Sequence, residues 1–209
     1  MRWNLAFTIA AALVTLVSAV FDAETGFTFS QYNAAYAIGK SITFRIAVPA
    51  NVPENASYDS VIQIAAPTDV GWGGLAWGGK MINNPLSVAW QNAQSAVISS
   101  RWAPSHSTPQ TYTGAQYTVL RTGTRTNGTY WQVTAKCSGC TSFNDVSGRR
   151  VILNSRGSNR LAFAYSRARP SQPSSNSSSF PVHEVTNYWA HDFSQGVNSN
   201  FDALVTKNM

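Results

Sequence analysis

Met81 closes the run Gly71-Trp-Gly-Gly-Leu-Ala-Trp-Gly-Gly-Lys-Met81, in which Trp72 and Trp77 stand among closely spaced glycines. The chain has three methionines. Once Met1 leaves with a leader, only Met81 and the terminal Met209 remain, so this thioether is spent sparingly. A thioether is a soft, polarisable donor able to ligate iron, and glycine lets backbone approach a flat body closely. The run therefore suggests a pocket for a planar cofactor. A Gly/Trp-rich turn with a packed methionine, as in many β proteins, is the plain alternative.

The other candidate ligands are His106, His183 and His191. None stands at His-Glu-x-x-His spacing, so a zinc hydrolase has little support. There is no Gly-x-Ser-x-Gly for a serine hydrolase, and no suggestive carboxylate cluster for glycoside hydrolysis. Cys137 and Cys140 are the only cysteines. In an exported chain they read most simply as a disulfide fixing a local turn. A c-type haem site would need histidine after the second cysteine, where Thr141 stands.

The elements that must position these residues read as strands. Ile42, Phe44, Ile46 and Val48 alternate with Thr43, Arg45 and Ala47, the period-two pattern of a half-buried strand. Val61–Ala66 is more uniformly apolar, and Leu86, Val88 and Trp90 alternate again. Short candidates continue at 96–102, 116–121, 130–136, 150–154 and 161–166, with turn signals such as Asn83-Asn84-Pro85 and Asn127-Gly128 between them. Nine or ten such strands predict an all-β antiparallel sandwich in one domain. No sustained helical period is evident. Pro170–Ser179 is a Ser/Pro-rich stretch that reads as a flexible loop, and 180–209 is taken as the return of the same fold.

Met1-Arg2-Trp3 followed by the apolar run Leu5–Val17 is the pattern of a signal peptide. Cleavage is expected after Ala19, leaving residues 20–209 as a secreted domain. No second apolar segment suggests a membrane span. Asn55, Asn127 and Asn176 begin Asn-x-Ser/Thr sequons and are the expected glycosylation sites. Without Arg2, 14 basic side chains face 9 acidic ones, a balance that favours anionic partners. The basic residues are scattered, which argues against nucleic-acid binding.

Five segments in order carry a resemblance. They are Asp22-x-x-Thr-Gly-Phe-x-Phe29, Ile62–Met81 with its Gly-Trp-Gly-Gly and Trp-Gly-Gly-Lys-Met, Cys137-x-x-Cys140, Phe163-Ala-Tyr-Ser166, and His183 followed by Asp192-Phe-Ser194. Together they resemble the cytochrome domain of fungal cellobiose dehydrogenase, here expected as a standalone secreted domain. The resemblance implies an immunoglobulin-like, DOMON-type β-sandwich holding a non-covalent haem b, its iron ligated by one methionine and one histidine. Met81 takes the methionine position and His183 the histidine position, with His191 the competitor, and Trp72 and Trp77 would wall the pocket. Phe193 stands where the family has leucine, and Phe143 where a tryptophan often follows the cysteines.

A secreted, monomeric one-electron carrier is therefore expected. Its donor would be a flavin-dependent dehydrogenase, and its acceptor a polysaccharide-oxidising copper enzyme or ferric iron, the latter amounting to ferric reductase activity. A haem-free carbohydrate-binding sandwich and a ligand-free structural module are the competing readings.

Overall fold

A computed structural model describes residues 16–209. Most of the expected leader lies outside the described residues. In chain order the strands are β1 (Ser18–Phe21), β2 (Thr28–Ala37), β3 (Lys40–Pro49), β4 (Ser60–Pro67), β5 (Trp72–Ala76), β6 (Leu86–Asn92), β7 (Ser95–Trp102) and β8 (Gln110–Thr111). They continue with β9 (Gln116–Thr126), β10 (Tyr130–Ser138), β11 (Ser142–Asn144), β12 (Arg150–Ile152), β13 (Ser158–Ser166), β14 (Val185–Asp192) and β15 (Val197–Asn198), before the helix α1 (Phe201–Asn208). One sheet runs β1-β2-β3-β4-β10-β9 and the other β14-β13-β5-β6-β7-β8, while β11 and β12 form a small ribbon. The expected antiparallel sandwich is the observed fold. Among the described residues one pairing is parallel, setting Val197 and Asn198 beside Val48 and Pro49.

The core is where the two inner faces meet. Ile42, Phe44 and Ile46 of β3, Ile62 and Ile64 of β4, and Trp131 and Val133 of β10 are fully buried there, each on alternate positions of its strand. Aromatic rings join the layers: Tyr32 stacks on Trp189 at 4.2 Å and Tyr36 on Tyr165 at 4.3 Å between centroids. Such pairs contribute roughly 0.5–1.5 kcal/mol each beyond their buried area.

The outer face of the first sheet is also covered. There Phe27, Phe29, Ala47, Val61 and Leu120 are roofed by Phe201, Leu204 and Val205 of α1. This helix departs from the helix-free expectation. Its apolar residues do recur at helical intervals, but over eight residues that is too few to stand out from strand punctuation, and tertiary burial supplies what local propensity does not. Ser18 and Ala19, expected at the leader's end, pair with Gln31 and Ser30 at the sheet edge. Removal after Ala19 would leave Val20 and Phe21 to make that contact.

Candidate functional site

The outer face of the second sheet is built unlike the first. Along one row across the strands, Tyr188, Ala162, Ala76 and Leu86 lie side by side, and Thr186, Ala164, Gly74 and Val88 form the next row. The middle of both rows carries only hydrogen or methyl side chains. Alternation turns the bulky neighbours Leu75 and Phe163 into the core instead. The result is a flat floor bounded by Trp72, Leu86 and Val88.

Three loops rise around this floor and border a half-open cavity of about 880 Å³ lined by Met81, His106, Phe180 and His183 with the floor residues. Cofactor sites commonly occupy about 300–1,000 Å³ and are largely apolar. Lys80, Met81 and both histidines are its chemically distinctive side chains, and among the described residues no carboxylate lines it.

The Met81 loop is cinched by Asn84, a fully buried side chain. Its Oδ1 accepts from the Gly78 amide at 2.8 Å, and its Nδ2 donates to the carbonyls of Lys80 at 2.7 Å and Ile82 at 3.1 Å. Gly79 has φ +69°, and a Cβ there would meet Arg160 at 2.5 Å, so only glycine brings the loop this close to β13. On the far side of the floor, Glu184 accepts from the Arg167 amide at 2.7 Å and from Ser166 Oγ at 3.0 Å. These bonds hold its carboxyl below the usual carboxylate range and fix His183 next to the end of β13.

The Ser/Pro-rich stretch before His183, which reads in sequence as slack, is tied down across the sheet. Trp90 Nε1 donates to the Pro173 carbonyl at 2.8 Å, and Ser99 and Arg101 donate to the carbonyl of Asn176. These donors are scattered over β6 and β7, so nothing within 170–179 announces them.

The predicted site residues divide clearly. Met81, His183 and Trp72 come together at the cavity. Trp77 does not: it lies in the sandwich core, donating to Ser87 Oγ at 2.8 Å and meeting Phe193 edge-on. Trp72 and Trp77 are an odd number of residues apart, which sends extended-chain side chains to opposite faces. The pocket-wall expectation for Trp77 is therefore corrected.

His191 is fully buried on the inner face of β14. Its Nδ1 accepts from Trp189 Nε1 at 2.8 Å and its Nε2–H donates to the Ser30 carbonyl at 3.2 Å. Burial lowers its pKa to about 4. Both ring nitrogens are thus occupied by protein partners away from the cavity.

His106 went unassigned in the sequence because no local pattern marks it, yet its loop borders the same cavity. Asn84 looked like turn punctuation, and only its burial reveals its task. The Cys137–Cys140 disulfide is present, joining the end of β10 to the turn before β11. Asn55, Asn127 and Asn176 are all exposed.

Residues 20–203 match the family described as the cytochrome domain of cellobiose dehydrogenase. The chain belongs to this family. It is 28% identical over 183 residues to the pyrroloquinoline quinone-dependent pyranose dehydrogenase of Coprinopsis cinerea, covering 87% of this chain but 24% of that protein. The chain thus spans about a quarter of that curated relative's length. Its fold matches the cytochrome b domain of the C. cinerea pyranose dehydrogenase with a TM-score of 0.79 and 26% identity, over 92% of this chain and 96% of that one. The cytochrome domain of Myriococcum thermophilum cellobiose dehydrogenase gives a TM-score of 0.82 at 17% identity, over 93% and 97%. Family membership makes this a cytochrome domain of the dehydrogenase-linked kind, a class whose work is electron transfer.

The floor and loops fit the group such a domain implies. Gly74, Ala76, Ala162 and Ala164 admit a flat ring. A thioether and an imidazole suit iron better than a hard cation, which would call for oxygen ligands.

Proposed function

We propose that the cavity binds haem b non-covalently, with Met81 and His183 as the two axial ligands, and that the domain passes single electrons. The observation that carries this reading is the arrival of Met81 and His183, remote in sequence, at one small-residue floor. Haem b supplies a one-electron ferric–ferrous couple when bound.

The chain's own residues set the terms of that couple. Met81 is a weak thioether donor, which favours the ferrous state more than a second imidazole would. Trp72, Val88 and Phe180 line the cavity and would exclude water from a bound haem, and Lys80 would contribute a positive charge suited to its carboxylates. With Met81 and His183 both holding the iron, oxygen and substrate would find no open coordination site.

As donor we propose a sugar-oxidising dehydrogenase, flavin-dependent or quinone-dependent as in the named relative. The proposed acceptor is a polysaccharide-oxidising copper enzyme or ferric iron. Secretion after cleavage at Ala19 and glycosylation at Asn55, Asn127 and Asn176 complete the proposal. Titrating purified protein with haem tests it: stoichiometric uptake and a Soret band that sharpens with dithionite are expected. A protein that stays colourless contradicts it and favours the carbohydrate-binding reading.

A further inference from the structure

Among the described residues, Arg101 is the only lysine or arginine in the buried class, at 3% exposure, and no carboxylate lies within ion-pairing distance of it. It stands on β7 directly opposite Leu86, on the floor side of the sheet. Its Nε donates to Ser99 Oγ at 2.6 Å, its Nη1 to the Pro109 carbonyl at 3.3 Å, and its Nη2 to the carbonyls of Ser178 at 2.5 Å and Asn176 at 2.9 Å. The guanidinium also lies 5.2 Å from the centre of the Phe180 ring, whose other neighbour is Trp72 at 4.9 Å.

Burying a cation against neutral acceptors alone is costly, and apolar packing of similar volume generally serves stability as well or better. What the guanidinium has that an apolar chain lacks is a planar fork reaching several carbonyls at once, together with a permanent charge. The carbonyls it holds belong to two loops. One carries His106 and Pro109, the other leads through Phe180 to His183, and both border the cavity.

We propose that Arg101 is a positioning residue for the cofactor site: it ties the His106–Pro109 loop to the Asn176–Phe180 segment and so fixes the chain that delivers His183 to the floor. This rests on the reading of His183 as a haem ligand. The clamp also places a fixed positive charge beside a predominantly apolar cavity. Such a charge disfavours the more positive ferric centre, so it raises the reduction potential.

The test compares wild type with Arg101→Lys, Arg101→Met and Ser99→Ala. Three quantities are read: haem release to an apomyoglobin trap, midpoint potential, and amide hydrogen exchange across residues 176–183 in the haem-free protein. Both Arg101 variants are expected to release haem about tenfold faster or more, as the loss of several bonds from a charged donor implies. Both should also exchange faster at 176–183. Arg101→Met alone should lower the midpoint potential, because lysine keeps the charge. Ser99→Ala, which removes one acceptor of the fork together with the serine's own bond to the Asn176 carbonyl, should release haem a few-fold faster.

Variants that melt lower but keep wild-type release, potential and exchange would reduce Arg101 to structural filling and overturn the proposal. If neither Arg101 variant folds, Ser99→Ala decides, and unchanged release and exchange in it overturns the clamp. If wild type itself takes up no haem, the functional reading fails, while exchange at 176–183 still reports whether the guanidinium holds the segment.

Discussion

Gly74 lies directly opposite Ala164 in the antiparallel ladder of β5 and β13, and the two together leave the sheet's outer face bare where the cavity is deepest in small side chains. This pairing matters more than either residue alone. A strand pair that carried valine or leucine here would pack a third layer or fill the space itself.

A bulky side chain on that floor should therefore block the ring without disturbing the core. Ala164→Leu is expected to weaken haem uptake at least about tenfold while changing the unfolding free energy of the haem-free protein by less than about 1.5 kcal/mol. Haem titration alongside chemical denaturation checks both halves.

The histidines should separate by location. His183→Ala is expected to abolish low-spin haem, and His106→Ala to leave the low-spin spectrum in place. His191→Gln should lower the melting temperature and spare the axial ligand set, because His191 bonds Trp189 and Ser30 inside the core. Loss of low-spin character in the His191 variant alone would move the ligand to that residue.

Much of this was legible in the chain. The alternation of Ile42–Val48 gave both the strand and its core-facing side, since period two survives where one face is dry, whereas Leu86, Val88 and Trp90 alternate on the floor side of a strand buried on both faces. The floor was harder to read because its four small residues come from two strands far apart in sequence, and only register aligns them. Trp77 misled for the opposite reason: proximity to Met81 along the chain concealed that parity sends it to the core. Arg101 and Asn84 carried no local signal, since Arg101 matters through carbonyls contributed by other segments and Asn84 through its burial beneath its own loop.

His191 also predicts a pH dependence. Its pKa falls from the ordinary 6.5 to about 4 on folding because burial disfavours the imidazolium. The unfolded chain therefore binds more protons between those values. The stability of the haem-free protein should be complete above about pH 6.5 and decline as pH falls towards 4, by on the order of 3 kcal/mol from this group. Denaturant melts from pH 4 to 7 should show that slope in wild type, and His191→Gln should flatten it.

The Cys137–Cys140 bridge closes a very short loop away from the cavity. Replacing both cysteines by alanine is expected to cost about 2 kcal/mol in the chain-entropy account, lowering the melting temperature by roughly 4–8 °C for a domain of this size. Haem affinity should remain within about twofold of wild type, because neither cysteine lines the cavity.

The most direct measurement is the ferric and ferrous absorption spectrum of haem-loaded Met81→Ala beside wild type. The ligand assignment predicts a six-coordinate low-spin spectrum in wild type, with the near-infrared band of thioether-bound ferric haem. In the variant it predicts loss of that band and a five-coordinate or water-ligated spectrum at near-normal expression. An unchanged low-spin spectrum in Met81→Ala would contradict it.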